Sequence, residues 1–249
     1  MSQPSIAEIP AVVLAGGLGT RVKALLNNTP KPMANVADKP FLHWIIKDLK
    51  QQGITTVCLA VGYKADTVKD YFKENYLGVK ILYSEEKELL GTGGGALLAV
   101  SVLSSFTSFN KFFLLNGDSF CRVSLSNVLQ FHNQKNSFAT IVLSKVENTS
   151  RYGKVIVDSQ GKITSFLEKK EEGAGWVNAG VYLISKEVFH QREKKEIHFS
   201  IEKDLFPQLA KKKLLYGYTN EKTAFFDIGT PESLKLASKT IPALASLSL

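Results

Sequence analysis

The stretch Ala11-Val12-Val13-Leu14-Ala15-Gly16-Gly17-Leu18-Gly19-Thr20-Arg21 carries an apolar run directly into a glycine-rich loop, and Thr29-Pro30-Lys31-Pro32-Met33 follows shortly after it. Residues 9–14 are apolar without alternation, so we predict that they form a fully buried first strand. Glycines let a backbone approach a ligand closely and point N–H groups at it. Arg21 and the proline-flanked Lys31 add positive charge beside those groups. This combination indicates a loop that binds a polyphosphate.

Two common phosphate-binding loops fit this stretch poorly. A P-loop requires Gly-Lys followed by Ser or Thr, whereas Gly19 is followed by Thr20 and Arg21. The dinucleotide fingerprint requires a third glycine where Val22 stands, and no acidic residue ends a second strand near residues 59–62. An ordinary strand-to-loop turn is the other alternative, but three clustered glycines with an arginine and a lysine favour phosphate binding.

Strands and helices alternate through the first part of the chain. A helix is predicted to begin at Pro40 with Asp38 as its cap, and Gly53 is expected to close it. Alternation of this kind implies a parallel sheet with helices on both faces. The predicted strands are residues 9–14, 56–61, 79–83, 112–115 and 139–144, and the further predicted helices are residues 65–72, 94–103 and 125–132.

The pattern changes near Arg151, where a hairpin is predicted to begin. The later predicted elements are hairpin strands at 152–157 and 163–167, a strand at 176–184, a helix at 199–209 that Ser200 begins, short strands at 214–219 and 224–226, and a last helix capped by Thr230-Pro231. The expected fold class is therefore α/β, with a Rossmann-like mixed, mainly parallel sheet, helices on both faces and a late antiparallel insertion. We expect a single domain over residues 1–249.

The composition limits the kind of protein. Of 249 residues, 44% are hydrophobic and 22% are charged, which is typical of soluble globular proteins. We expect no signal peptide and no membrane span, because we find neither a charged-then-apolar leader nor an apolar run of about 18 residues. Cys58 and Cys121 lack metal-ligand spacing, so we expect buried thiols and a cytoplasmic location. The net charge of +8 comes from scattered lysines, which favours small anionic partners over nucleic acid.

Together, Gly16-Gly17-x-Gly19-Thr20-Arg21 and Pro30-Lys31-Pro32 resemble the signature of the sugar-1-phosphate nucleotidyltransferases, and the resemblance extends from Val12 to Leu236. It implies a fold of the nucleotide-diphospho-sugar transferase type, with a nucleotide-binding half near residues 9–145 and a sugar-binding part near residues 146–236. The implied partners are a nucleoside triphosphate and a sugar 1-phosphate, without nucleic acid or membrane, and a homo-oligomer is left open. The implied nucleotide-binding residues are Leu14, Ala15, Gly16, Gly17, Gly19, Thr20, Glu86, Thr92, Gly93, Asn116 and Gly117.

A second glycine-rich stretch, residues 83–96, follows the third predicted strand and enters a helix. Its glycines would let a flat ligand lie against the backbone, beside the free N–H groups of a helix start. From the residues alone, a glycine-rich helix start with exposed glutamates is the favoured interpretation. The resemblance implies that Thr92 and Gly93 lie against the base of the nucleotide. It also implies that the Glu86 carboxylate accepts hydrogen bonds from the edge of that base.

Two aspartates each follow an apolar strand. Asp118 ends the sequence Asn116-Gly117-Asp118 after one strand, and Asp227 follows Phe225-Phe226. Alone, they indicate an Asn-Gly-Asp turn and an acid that flanks a helix, although a carboxylate is costly to bury unpaired. The resemblance implies that both are ligands of Mg2+, the expected cofactor, which takes few protein carboxylates and completes its shell with phosphate oxygens and water.

The sugar-side residues come later in the chain. The resemblance implies that Gly153, Glu168 and Asn178 contact the sugar and that Lys169 binds its phosphate. From the residues alone, Glu168 and Lys169 would be a solvated charge pair, because Lys170-Glu171-Glu172 follow directly.

The reaction implied by the resemblance is an in-line attack of the sugar phosphate on the α-phosphorus of the triphosphate, with release of pyrophosphate. No protein nucleophile is needed, and no Ser-His-Asp or Cys-His arrangement is evident in the sequence. Catalysis would come from positioning and charge neutralisation. The implied catalytic residues are Arg21 on the triphosphate, Lys31 on the α-phosphate and Lys169 on the sugar phosphate.

Three stretches resemble one subfamily, the D-glycero-D-manno-heptose 1-phosphate guanylyltransferases: Leu90-Gly91-Thr92-Gly93-Gly94, Asn116-Gly117-Asp118-Ser119-Phe120 and Phe199-Ser200-Ile201-Glu202-Lys203-Asp204. This implies synthesis of GDP-heptose from GTP for a surface polysaccharide. Gly95 is also similar to the N-acetylmuramate 1-phosphate uridylyltransferases, and Leu89 replaces a proline common in the guanylyl subfamily. Another base and another sugar, such as N-acetylmuramate, mannose or glucose, therefore stay open. A non-catalytic nucleotide-sugar sensor and a dinucleotide-dependent oxidoreductase are alternatives from other classes.

Overall fold

The computed structural model describes residues 5–17, 29–167, 173–192, 196–219 and 223–246. The strands are β1 (Ala11–Leu14), β2 (Asn35–Val36), β3 (Lys39–Pro40), β4 (Thr56–Val61), β5 (Asn75–Tyr76), β6 (Val79–Glu85), β7 (Lys111–Asn116), β8 (Ser119–Arg122), β9 (Ala139–Val146), β10 (Val155–Val157), β11 (Ile163–Phe166), β12 (Gly175–Ser185), β13 (Leu215–Thr219) and β14 (Ala224–Asp227). The α-helices are α1 (Phe41–Gln51), α2 (Ala65–Phe72), α3 (Gly91–Phe106), α4 (Leu125–Gln134), α5 (Phe206–Lys211) and α6 (Pro231–Leu244). Short 3₁₀ helices cover Ile6–Glu8, Lys31–Met33 and Lys186–Gln191, and a π-helix covers Ile201–Leu205.

Ten of these strands form one mixed sheet. Along it the order is β11-β10-β12-β7-β1-β4-β6-β5, and β9 joins β12 to β13. The four central strands β7, β1, β4 and β6 are parallel, and Val12 of β1 lies between Cys58 and Leu114 of its neighbours. Their carboxyl ends therefore meet at one edge of the sheet, where open α/β sheets bind ligands.

Helices cover both faces of this sheet, as predicted. Val13 of β1 belongs to the core cluster that contains residues of α1, α2, α4 and α6, whereas Val12 belongs to the cluster that contains residues of α3 and α5. Ala11, Val12 and Val13 are fully buried, which confirms the prediction of a buried first strand. The predicted α/β class, with a mixed and mostly parallel central sheet, is thus confirmed. None of the helices within the described ranges has the length and apolar character needed to span a bilayer.

The later part of the sheet is largely antiparallel. The long strand β12 pairs with β9, and it changes its other neighbour along its length, from β10 at Trp176 to β7 beyond Val181. Gly180 lies at the irregularity with a φ of +73°. The predicted hairpin is present as β10 and β11. A short separate ladder joins β8 to β14, and sequence reasoning did not predict β8.

The start of α1 differs from the prediction. Asp38 does not cap the helix, because it lies with Ala37 in the two-residue turn between β2 and β3, where both residues have positive φ. This geometry is typical of tight hairpin turns, and aspartate tolerates it better than most residues. The helix begins after Pro40, at Phe41. Its predicted end is confirmed, since Gly53 follows it with a φ of +92°.

The predicted helix over residues 199–209 is divided into two parts. The Ser200 side chain accepts a hydrogen bond from the N–H of Lys203, which confirms Ser200 as the start. The first turn is the π-helix, and α5 continues from Phe206. Thr230 caps α6 as predicted, by accepting from the N–H of Ser233.

Candidate active site

The loops that leave the parallel strands are tied together at the carboxyl edge of the sheet. The N–H of Gly117 donates to the carbonyl of Leu14 over 2.9 Å, and the N–H of Glu86 donates to the carbonyl of Val61 over 2.9 Å. The start of the first glycine loop therefore lies directly beside the Asn116-Gly117-Asp118 turn.

Glu86 lies between the first glycine loop and the start of α3. A Cβ added to Gly16 would lie 3.5 Å from its Oε1 atom, and one added to Gly95 would lie 2.4 Å from it. Its Oε2 atom accepts from the N–H of Leu90 over 3.1 Å. Burial raises the pKa of Glu86, and the hydrogen bond from Leu90 opposes this rise. Gly95 is thus small because the Glu86 carboxylate occupies the adjacent space.

Two glycines at the start of α3 pack closely against residues 197–199. A Cβ on Gly93 would lie 2.1 Å from the Phe199 ring, and a Cβ on Gly94 would lie 2.2 Å from the carbonyl oxygen of Ile197. The N–H of Gly93 donates to the carbonyl of Phe199 over 2.9 Å. At these two positions the packing of the protein itself requires the absence of a side chain.

The ladder between β8 and β14 brings Asp118 and Asp227 together. Ser119 pairs with Asp227 in this ladder, and the N–H of Ile228 donates to the carbonyl of Asp118 over 3.1 Å. The Nζ atom of Lys31 lies 2.6 Å from Oδ2 of Asp118. The Lys31 side chain is 12% exposed and that of Asp118 is 42% exposed, so the lysine is largely buried whereas the carboxylate that it contacts is accessible to solvent. Two acids and a lysine from distant parts of the sequence thus form one cluster.

Asp227 has partners that sequence reasoning missed. Its Oδ1 atom accepts from the N–H of Gly229 over 2.8 Å and from Nη2 of Arg151 over 3.3 Å. Arg151 begins the predicted hairpin, and a basic residue directly before Tyr152-Gly153 is the signal in the sequence for this contact. The structure therefore gives each of the two aspartates a cationic partner.

These side chains fit a divalent cation whose shell is completed by substrate. Asp118 and Asp227 supply two carboxylates on neighbouring backbone, and the described part of the chain offers the buried Asn116 Oδ1 atom no hydrogen-bond partner. The described residues contain no group of three or more His, Cys, Asp or Glu that would enclose a metal. Such a donor set suits Mg2+, which binds through one or two carboxylates, substrate phosphates and water.

Asn178, which is predicted to contact the sugar, is held by two hydrogen bonds. Its Nδ2 atom donates to the Tyr182 hydroxyl over 2.9 Å, and its Oδ1 atom accepts from the N–H of Gly180 over 2.9 Å. Gly153 has a φ of +81°, which explains a glycine there. Five of the predicted site residues lie outside the described ranges, namely Gly19, Thr20, Arg21, Glu168 and Lys169.

The two cysteines and His43 are buried among other side chains. Cys58 and Cys121 are buried free thiols, as predicted, and burial raises the pKa of Cys58 to about 11. His43 is buried on α1 with its Nδ1 atom 2.8 Å from the Tyr76 hydroxyl. Burial keeps the two thiols from acting as nucleophiles, and His43 contacts the Tyr76 hydroxyl instead of a nucleophile.

Comparisons with known proteins define the class of this enzyme. Residues 10–243 match the Nucleotidyl transferase family, and the chain belongs to that family. It is 43% identical over 222 residues to a D-glycero-alpha-D-manno-heptose 1-phosphate guanylyltransferase of Campylobacter jejuni, covering 89% of this chain and 95% of that one. It is 39% identical to the catalytic subunit beta of a mannose-1-phosphate guanylyltransferase of Drosophila pseudoobscura pseudoobscura, covering 89% of this chain and 59% of the longer relative.

Solved structures agree with this assignment. HddC from Yersinia pseudotuberculosis, in complex with GMP-PN, superimposes with a TM-score of 0.79 at 32% identity, over 93% of this chain and 98% of that one. The predicted family and the predicted fold type are therefore confirmed. Members of the family generally use a divalent metal ion.

Proposed function

We propose that this enzyme transfers the guanylyl group of GTP to D-glycero-α-D-manno-heptose 1-phosphate, which yields GDP-heptose and pyrophosphate. The observation that carries the proposal is the cluster of Lys31, Asp118 and Asp227 beside the first glycine loop. The choice of substrates is supported by the heptose 1-phosphate guanylyltransferase of Campylobacter jejuni and by the HddC complex.

In the proposed reaction, an oxygen of the sugar phosphate forms a bond to the α-phosphorus of GTP, and the bond to the departing pyrophosphate breaks. The attacking group is already an anion, so no protein base is required. The chain's task is to align two polyanions and to balance their charge. We assign Lys31 to the α-phosphate, because its ion pair with Asp118 orients an ammonium group at the strand ends. We assign Arg21 to the triphosphate and Lys169 to the sugar phosphate.

Asp118 and Asp227 are the residues that would hold Mg2+. When bound, this ion supplies positive charge to the phosphate oxygens. Arg151 forms an ion pair with Asp227, and its side chain is half-exposed. An exposed ion pair of this kind is weak, so Arg151 can move away from Asp227 when a cation and substrate bind.

The remaining assignments follow the position of each residue in the fold. The phosphates would meet the loop that begins at Leu14-Ala15-Gly16-Gly17, next to the Asn116-Gly117 turn. The guanine edge would donate to Glu86, near Thr92 and Gly93. The proposed sugar-side residues are Gly153, Glu168 and Asn178. We further propose that residues 9–145 and 146–236 form the nucleotide and sugar parts of a single domain.

A second candidate has the same chemistry with mannose 1-phosphate as the acceptor. The specific observation in its favour is the 39% identity to the mannose-1-phosphate guanylyltransferase subunit. The mannose acceptor is one carbon and one hydroxyl smaller than the heptose, so the two candidates differ in whether the sugar-side residues accommodate that extra group.

The test is release of pyrophosphate in the presence of Mg2+, with ATP, GTP, CTP, UTP and dTTP, against manno-heptose, mannose, glucose and N-acetylmuramate 1-phosphates. Release with GTP and the heptose phosphate is expected. Release with GTP and mannose phosphate would select the second candidate, and release with UTP would contradict the base. Nucleotide binding without release from any pair would indicate a non-catalytic sensor.

The base assignment has its own matched pair of variants. Glu86→Gln keeps the shape of the side chain but replaces an acceptor oxygen by a donor, so it should raise KM for GTP and weaken the preference for GTP over ATP. Glu85→Gln is the control, because Glu85 is exposed at the end of β6 and pairs with Lys69. Equal base preference in both variants would contradict the role of Glu86.

A further inference from the structure

Glu202 lies where the start of α3 meets the sugar-side strand β12. It belongs to the π-helix, a rare local structure that is frequent at functional sites. The Ser200 hydroxyl donates to Glu202 Oε2 over 2.9 Å, and the N–H of Lys203 donates to Ser200 Oγ over 3.2 Å. The carboxylate of Glu202 is therefore oriented by its own turn of helix.

One oxygen of this carboxylate holds the start of α3. The Thr92 hydroxyl donates to Glu202 Oε2 over 2.6 Å, and it accepts from the N–H of Ile201 over 3.0 Å. Thr92 is the second residue of α3, within the glycine-rich start assigned to the base. The contact thus sets the position of the nucleotide side relative to residues 200–202.

The other oxygen reaches the sugar side through Tyr182. The Tyr182 hydroxyl, which accepts from Asn178 Nδ2 over 2.9 Å, donates to Glu202 Oε1 over a longer 3.5 Å. Tyr182 is fully buried on β12, and burial together with the charge of Glu202 raises its pKa. The Tyr182 hydroxyl is also hydrogen-bonded to the side chain of Asn116, and Glu202 Oε1 is an acceptor for its proton.

We propose that Glu202 is a positioning residue for both substrates, because its carboxylate links Thr92 on the nucleotide side to Asn178, through Tyr182, on the sugar side. The substrates named here rest on the proposed function. Each substrate is bound by groups whose position depends on this carboxylate, so weakening the link should weaken the binding of both substrates. A single carboxylate that accepts from both sides fixes the two sets of binding groups relative to each other.

The test is steady-state kinetics of Glu202→Gln, Thr92→Val and Tyr182→Phe. Glutamine has the same shape but only one acceptor oxygen, so Glu202→Gln should raise KM for both substrates about tenfold, with a smaller change in kcat. Thr92→Val should raise KM for GTP alone, and Thr92→Ser, which keeps the hydroxyl, should restore it. Tyr182→Phe should raise KM for the heptose phosphate more than KM for GTP, because the lost hydroxyl contacts Asn178 directly and also contacts Asn116. Glu187→Gln, an exposed glutamate outside this network, is the matched control.

The double variant Glu202→Gln/Tyr182→Phe shows whether the two groups act as one unit. Its KM for the heptose phosphate should equal that of Glu202→Gln, because the second change removes a link that is already broken. Additive effects, or a Glu202→Gln enzyme with both KM values within about twofold of wild type, would overturn the proposal. So would a lower melting temperature with unchanged KM values, which is the result of a merely structural role.

Calorimetric titration with GTP separates this proposal from the proposed function. If the wild-type protein binds GTP but releases no pyrophosphate, the proposed function fails. The nucleotide side of the network is then supported if Thr92→Val and Glu202→Gln weaken GTP binding by similar factors. It is overturned if both variants bind GTP as the wild type does.

Discussion

Gly117→Ala is a sharp test of how the carboxyl edge positions Asp118. A Cβ at this residue would lie 2.5 Å from the carbonyl oxygen of Leu14 and 3.3 Å from the Cα of Ala15, and both are backbone atoms. Ordinary contacts begin near 3.4 Å, so the turn would have to move by about 0.9 Å. The 2.9 Å hydrogen bond from Gly117 to Leu14 would be lost or lengthened by the same movement.

The expected magnitude follows from these contacts. Overpacking should destabilise the fold by about 1–3 kcal/mol, and loss of the hydrogen bond by about 1 kcal/mol more. Alanine also lowers the conformational entropy of the unfolded chain, which offsets about 0.4–1 kcal/mol of this loss. The free energy of unfolding should fall by about 1–3 kcal/mol, which corresponds to a fall in melting temperature of roughly 2–12 °C. Since Asp118 is the next residue, kcat/KM for pyrophosphate release should fall by about 100-fold.

Calorimetry and the pyrophosphate assay measure the two effects. Gly17→Ala is the stability control, because a Cβ there would meet no heavy atom of the described residues within 4 Å. Its free energy of unfolding should not decrease. If Gly117→Ala keeps both the wild-type melting temperature and the wild-type kcat/KM, the turn accommodates a methyl group without moving, and the reasoning is refuted.

Three further predictions concern single side chains. Asp118→Asn should remove most turnover while the protein stays folded, because its side chain is 42% exposed; a near-normal kcat would contradict its assignment. Burial lowers the pKa of His132 to about 3, and the charge of Lys111 adds to this effect. Below about pH 6.5 the unfolded state therefore binds a proton on this histidine that the folded state does not bind. The free energy of unfolding should therefore fall as the pH drops from 6.5 toward 3, by up to about 1.4 kcal/mol per pH unit. Urea titrations at several pH values should show a smaller fall for His132→Asn than for the wild type. Asp48→Asn should cost about 3 kcal/mol in urea unfolding, because Asp48 and Arg122 form a buried ion pair; a loss below about 1 kcal/mol would show that other groups neutralise the arginine.

Elements whose signals are contained within one segment were predictable. The structure has a strand at Thr56–Val61 and a helix at Ala65–Phe72, with the bounds that periodicity predicts. Gly53 ends α1 and Thr230 begins α6 because capping depends on residues next to one another in sequence.

Elements that depend on distant partners were not predictable. Strand β8 has only four residues, and it exists because β14 pairs with it from more than one hundred residues away. Asp38 has the composition of a helix cap, yet the pairing of β2 with β3 places it in a turn. Local propensity is a weak preference that tertiary contacts override.

The sequence by itself determined the α/β class, the family and the chemical identity of the candidate groups, because glycine loops, apolar runs and acids at strand ends are local patterns. Only the tertiary structure decided which groups meet. In the tertiary structure, Lys31 pairs with Asp118, and Asp227 lies on β14, which pairs with the strand that follows Asp118. The Phe199 ring packs against Gly93. The tertiary structure also joined Thr92 to Glu202 across the sequence. Contacts of this kind follow from how the sheet and its helices pack, and a linear pattern does not contain them.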